Sequence, residues 1–276
     1  MTTLTKPIPL TRRLEIPALG ALFVLTLRQH LRGRRLLILS LLFLLPSIMA
    51  AVARLTPHPP RPAELEFWLV LNVIPHALAT LTALLYAAGI IQDEVEEQTF
   101  TYLLARPLPR WAIYVTRMAV TLLVTAGLTC IFTVLCLTVT YWNTPELWDD
   151  VLPGRALKIS ALLALAQVGY CAVFGLVGLL TRWALFAGLA YIVAFEGLLA
   201  TFPSVLRQLT IMFYFRVLAA RWLDLPNASV WTIDLSTAPS VRGCVITIFA
   251  VSVALIGVGA MIMMLREFRM KTPEGN

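Results

Sequence analysis

Residues Gln92 to Arg117 read QDEVEEQTFTYLLARPLPRWAIYVTR, and the reading of that stretch decides the fold. Asp93, Glu94, Glu96 and Glu97 crowd together, Pro107 and Pro109 stop what precedes them, and Arg110 and Arg117 follow. On either side lie runs apolar enough to cross a bilayer. Asp93 and Glu96 fit a D-x-x-E capping box, in which side chains satisfy the backbone donors of a helix start. Acids at the beginning and Arg106 at the end both suit the helix dipole, and Pro107 forbids continuation. Glu94, Glu97 and Thr101 share one face; Phe100, Leu103 and Leu104 make an apolar neighbour to it. A short, well-stopped acidic helix just outside lipid is a surface offered to a soluble partner. The plainer alternative is a solvated face between two crossings.

Composition supplies the lipid. The chain has 276 residues, 59% hydrophobic and 13% charged, with a mean hydropathy of +0.82. A soluble chain carries about 25% charged residues. So much apolar surface has no aqueous interior to fill, and the expected class is an all-α integral membrane protein forming one domain over 1–276. The net charge of +7 comes mostly from single arginines at the ends of apolar runs. No basic stripe is interleaved with aromatics, so nucleic acid is not an expected partner. Cys130, Cys136, Cys171 and Cys244 all lie inside apolar runs with no CxxC spacing, which reads as packing and not as metal or redox chemistry. Pro7, Pro9, Pro17 and the arginines near the start argue against a cleavable signal peptide.

Six transmembrane helices are expected, at about 36–55, 67–91, 111–141, 156–180, 183–202 and 243–265. Residues 18–35 read either as an N-terminal interfacial helix with its basic end toward headgroups or as a half-buried extension of the first span. Pro46 and Pro75 interrupt the first two spans, and Pro57 to Pro62 form a stiff connector. Gly169, Gly175 and Gly178 permit close helix approach in the fourth span. Residues 204–223 read as a second interfacial helix inside a large loop before the last span. Lys and Arg cluster beside the first and last spans, which puts both termini and the acidic helix in the cytoplasm of a multi-pass protein of the cytoplasmic (inner) membrane.

Three polar residues stand out inside the apolar runs. Glu196, in the fifth span, is costly at membrane depth. It reads as a substrate or gate contact, or as a structural hydrogen bond to a neighbouring helix or the outer loop. Asn72 and His76, one turn apart on the second span, read as polar glue or as a pathway lining. Catalytic signatures are missing: no HExxH is possible with His30, His58 and His76, and Glu96-Glu97 has no arginine at the spacing a glutamate-type intramembrane protease needs. An enzyme is not expected. An ATP-independent channel or structural membrane subunit is one alternative that composition leaves open.

The segment from Ile91 to Arg117 resembles the signature of type-2 ATP-binding-cassette exporter permeases, in their bacterial NosY-like branch. Glu97, Thr99, Leu103, Leu104, Arg106, Pro107, Arg110 and Arg117 fall on that pattern; Gln98 stands where Gly is usual, and Arg117 where Lys is usual. Phe195-Glu196-Gly197, followed by Leu206-Arg207, resembles a further element of the same branch. The resemblance implies that the acidic helix is a cytoplasmic coupling helix between spans two and three. Asp93, Glu94, Glu97, Thr99, Arg106, Pro107 and Arg110 would then be the ATPase-coupling residues. It also implies a separate ATPase subunit as partner and a second permease copy or related permease beside this one. ATP and magnesium would bind in the ATPase partner and no cofactor in this chain, which has no GxxxxGK[ST] phosphate cradle.

Overall fold

The computed structural model describes residues 16–90, 109–142, 144, 152–199, 205–223, 225, 228–231, 233 and 238–265. Among these the chain is helical, with no strand. Five helices are long and apolar enough to cross a membrane, the pattern of a multi-pass membrane protein. They are α2 (Arg34–Arg54), α3 (Pro62–Ala87), α4 (Arg110–Thr140), α5 (Leu152–Leu180) and α8 (Val241–Leu265). Before them comes α1 (Ile16–Arg32). Between α5 and α8 lie α6 (Ala184–Tyr191), prolonged by a π-helix (Ile192–Leu199), and α7 (Ile211–Leu223). The end of the bundle holding residues 90 and 110 is termed the near end, and that holding residues 66, 141 and 155 the far end.

α5 is the most enclosed of the five, and α2 and α8 are the least. Leucine, isoleucine and phenylalanine on the outside of α2, α4, α6 and α8 are left exposed, as lipid requires. α8 buries a single stripe, Cys244, Ile248, Ser252, Gly259 and Met263, against the bundle. Inside, glycines set the spacing. A Cβ on Gly178 of α5 would collide with the backbone carbonyl of Ala88 at the close of α3. One on Gly175 would strike Met118, and one on Gly259 of α8 would strike the Tyr114 ring. Tyr114 thus fills the gap that two glycines open from opposite sides. The close approach expected of the fourth-span glycines is realised here, and Gly169 takes the Ile211 side chain in the same way.

A second device is polar. Thr121, Thr125, Thr129 and Thr133 recur every four residues along α4 and all are buried. Thr125 and Thr129 donate their hydroxyls to the carbonyls of Thr121 and Thr125, at 2.9 and 2.7 Å. Gln167 of α5 then bridges the stripe to α3, donating to Thr129 Oγ1 at 2.9 Å and to the Ala79 carbonyl at 3.2 Å.

The structure departs from the sequence-based expectation in four places. First, α1 follows the extension reading. Leu22 packs on Ile113 and His30 bonds Thr121 of α4. Farther along, Phe43 of α2 meets Phe132, and Arg54 bonds the Trp142 carbonyl. The near-constant offset means that α1 and α2 both run beside α4 in its own direction, so α1 does not lie across the bundle end. Gly33, extended at φ −69° and ψ 143°, separates the two helices.

Second, α3 begins at Pro62 and α5 at Leu152, four or five residues before their expected starts, because Glu66 and Arg155 satisfy one another inside the bundle. Third, most of α3 is not an α-helix: Glu66–Ala79 is a π-helix. Pro75 lies within it, and the wider turn relieves the clash a proline makes with the carbonyl four residues back. Asn72 Nδ2 donates to the Phe67 carbonyl five residues back, at 2.7 Å.

Fourth, the expected fifth span is described only to Leu199, and the expected interfacial helix after it is buried. Within the described residues the apolar stretch Ala184–Gly197 covers about 20 Å. Tyr191 packs on Phe174 of α5, and Gly188 sits against Leu84 of α3. α7 continues where this stretch leaves off. Ile211 lies at Gly169, Lys158 Nζ donates to the Trp222 carbonyl at 3.5 Å, and Arg155 Nη1 to that of Leu223 at 3.4 Å. α7 therefore runs antiparallel to the far half of α5. Met212, Phe215, Val217, Leu218 and Ala219 are all buried. Two half-length helices, one after the other, cover what a single crossing would cover.

Candidate functional site

At the near end, the acidic segment itself lies outside the described residues, and with it Asp93, Glu94, Glu97, Thr99, Arg106 and Pro107. Its two stems are described. Pro109, extended at φ −67° and ψ 138°, caps α4, and its carbonyl accepts the amides of Ala112 and Ile113 at 3.0 and 3.3 Å. Arg110 is the first residue of α4 and is half-buried. Arg117, two turns on, is buried, and its Nη1 donates to the Ile90 carbonyl at 2.9 Å. The last described residue before the segment is thus tied to the helix that follows it. Ala88 is gripped from the other side by Gly178.

α1 completes this end. His30 Nδ1 donates to the Thr26 carbonyl at 3.0 Å, so Nε2 accepts the Thr121 hydroxyl at 3.2 Å. The imidazole stacks on Tyr86 of α3 at 5.0 Å, and Arg35 donates to the Leu85 carbonyl at 3.3 Å. α1, α3, α4 and α5 therefore meet around the two stems as one packed unit.

At the far end, Glu66, Tyr141 and Arg155 join the ends of α3, α4 and α5. The fully buried Glu66 carboxylate takes Arg155 Nε at 2.8 Å on both oxygens and accepts the Tyr141 hydroxyl on one of them. Neither partner of this ion pair stands out in the sequence, because a charge at the edge of an apolar run looks like an ordinary helix end.

Below it lies the region that holds the intramembrane candidates. Glu196 is fully buried and sits at the start of α7. Its Oε1 accepts the Ile211 amide and its Oε2 the Met212 amide, both at 3.2 Å, and Tyr191 donates to Oε1 at 3.5 Å. These amides are among the four that a helix start leaves unsatisfied, and the helix dipole favours an anion there. Glu196 thus caps a helix that begins inside the bundle, fifteen residues away in sequence. Both carboxylate oxygens of Glu196 are therefore engaged by the neighbouring helix.

No protein-family model matches the chain, and no curated protein matches it in sequence. Function has to be read from the chain's own residues.

Asn72 accepts the Trp231 indole N–H at 3.0 Å, so it joins α3 to the stretch after α7. Trp231 is buried, stacks on Phe67 at 5.0 Å, and receives Arg207 Nη2 on its carbonyl. The Arg216 guanidinium lies 5.9 Å from the Trp231 ring centre, a cation–π distance. His76 differs from Asn72: its buried Nδ1 has no hydrogen-bond partner. Both amide atoms of Asn72 are thus engaged, and His76 Nδ1 is not. Tyr170, Tyr191, Arg216 and Trp231 join this region without a signal in the sequence, since tyrosine and tryptophan in an apolar run read as core. All four cysteines are free thiols, and no group of three His, Cys, Asp or Glu converges among the described residues.

Proposed function

We propose that this chain is the membrane permease subunit of an ATP-binding-cassette exporter, coupling hydrolysis in a separate ATPase subunit to movement of a substrate across the membrane. In this reading it makes six crossings, α6 and α7 together forming the fifth. A second permease copy or a related permease supplies the other half of the pathway. The segment between α3 and α4 is the cytoplasmic coupling helix. Its acidic face, through Asp93, Glu94 and Glu97, meets the ATPase, with Thr99, Arg106, Pro107 and Arg110 shaping and ending the helix.

The observation that carries the reading is the tie between the two stems. Arg117 holds the Ile90 carbonyl, at the position where the exporter signature has a basic residue. A push on the segment would not be absorbed by two loosely hinged ends. It would pass into α3 and α4 together, and into α5 through the Gly178–Ala88 contact. The sequence has no phosphate-cradling loop, so the energy must come from another polypeptide.

Replacing Glu94 and Glu97 by lysine reverses the charge of the face while leaving the membrane-embedded residues untouched. The expected outcome is normal insertion, loss of co-purification with the ATPase subunit and loss of stimulated hydrolysis. Normal co-purification and transport in that double variant would refute the coupling assignment. So would labelling of a Glu97→Cys variant from the extracytoplasmic side.

A further inference from the structure

Three arginines gather at the break between α1 and α2. Arg28, Arg32 and Arg34 are exposed, and none makes a hydrogen bond, ion pair or ring contact among the described residues. Arg28 and Arg32 share one face of α1, about 6 Å apart along its axis. Arg34 opens α2, its Cα within about 7 Å of that of Arg32 across the extended Gly33. Arg35 beside them differs, since it donates to the Leu85 carbonyl at 3.3 Å. The acids among the described residues are Glu64, Glu66 and Glu196, and all lie in the far half.

The surroundings of the three are set by α2. Leu37, Leu41, Leu45, Ile48 and Val52 form one exposed stripe along it, which covers about 22 Å. Apolar side chains exposed along a spanning helix lie in hydrocarbon. Arg34 precedes Leu37 by about one turn, so the arginines stand where the hydrocarbon ends. α1 does not fold back over this edge. It runs on beside α4, with Leu22 at Ile113 and His30 at Thr121, and its last turn therefore stands upright in the headgroup layer. The outer face of α1 is mixed there: Val24, Leu25 and Leu31 are exposed beside Arg28 and Arg32. Such a face suits a layer that offers both phosphates and the tops of acyl chains. Guanidinium forks match phosphate oxygens.

We propose that the α1–α2 break is a docking site for an anionic phospholipid of the leaflet at the near end. Arg32 and Arg34, on either side of Gly33, take the phosphate between them, and Arg28, one turn away, faces the rest of the headgroup. The acyl chains lie along the stripe that begins at Leu37. Net negative charge selects the lipid, because the ammonium of a zwitterionic headgroup is repelled by three guanidinium groups. Each basic side chain at a membrane surface is worth about a fivefold preference for an anionic lipid.

The test uses the full chain in nanodiscs of phosphatidylcholine and phosphatidylglycerol in equal parts, with co-released lipid counted by native mass spectrometry. The wild type is expected to retain phosphatidylglycerol over phosphatidylcholine. Arg28→Gln, Arg32→Gln and Arg34→Gln should each weaken that preference about fivefold. Arg61→Gln, at an exposed arginine of the far end, should leave it unchanged. The deciding variant moves a charge without removing it, combining Arg32→Gln with Ala21→Arg. Ala21 is exposed on the same face of α1, about 16 Å farther from the break, and the charge that orients the chain is kept. Weakening to the level of Arg32→Gln alone supports a site at the break. The proposal is overturned if the relocated charge retains phosphatidylglycerol as well as the wild type does, or if Arg61→Gln weakens retention as much as the near-end variants. It is also overturned if the wild type prefers neither lipid, which would give the arginines to a soluble partner. No ATPase takes part, so the outcome is separate from that of the coupling experiment.

Discussion

The near and far halves of the bundle differ in the balance of what holds them together. The near half combines close backbone approach, Gly178 on Ala88 and Gly175 and Gly259 around Tyr114, with single polar ties such as Arg117 on the Ile90 carbonyl. The far half is knit by charge and hydrogen bonds: Glu66 with Arg155 and Tyr141, Glu196 with α7, Trp231 with Asn72. Its helices are also less regular, with π-turns over Glu66–Ala79 and Ile192–Leu199. Close van der Waals packing has one good arrangement. Hydrogen bonds inside an apolar medium can be exchanged for others at similar energy, provided each group keeps a partner. The near half thus leans more on close packing, and the far half on paired polar groups.

That contrast can be broken at its strongest point first. Glu66→Ala leaves Arg155 facing a buried gap and is expected to destabilise the fold by about 3–5 kcal/mol. The double variant Glu66→Ala with Arg155→Met should recover much of that loss. Unfolding of both proteins in mild detergent, compared as a mutant cycle, measures the difference. No recovery would mean that the pair is not what holds the far end.

A smaller effect is expected in the near half. Gly178→Val forces α5 off the Ala88 carbonyl and should cost about 1–3 kcal/mol. Gly154→Ala, on the same helix with open space around it, is expected to be neutral or slightly stabilising. Equal Tm values for these two variants would remove glycine packing as the near-half device.

Glu196→Gln should be the mildest of the three, about 1–2 kcal/mol. The amide relieves the burial of a charge but has one oxygen where the carboxylate has two, so either Ile211 or Met212 loses its acceptor. Faster hydrogen exchange confined to the amides of residues 211–213 is the sharper readout. Uniform protection there would show that the cap is not what starts α7.

How far the sequence reveals this depends on what each signal measures. Hydropathy finds α2, α4 and α8 because each is strongly apolar over a window long enough to span. At the fifth expected crossing it does not show that Glu196 meets the start of α7, since apolar content is blind to a change from one helix to the next. Glu196, Asn72 and His76 are visible as polar residues inside such runs, but nothing in the spacing tells Asn72, which is bonded, from His76 Nδ1, which is not. Glu66 and Arg155 escape notice because their pairing joins residues 89 positions apart. The threonine stripe of α4 is legible as a period of four, yet by itself it reads as ordinary span composition. Capping by Glu196 of a helix fifteen residues later is a tertiary fact, and no local rule contains it.

The burial of Glu196 also bears on how the protein is made. A carboxylate inside an apolar run weakens the insertion signal of that run, and lipid gives it no partner. α5 receives this region, offering Phe174 to Tyr191 and Gly169 to Ile211. The amides at the start of α7 then give Glu196 the partners that lipid cannot. Docking of α6 and α7 is thereby coupled, since the start of α7 supplies the amides that the buried Glu196 accepts.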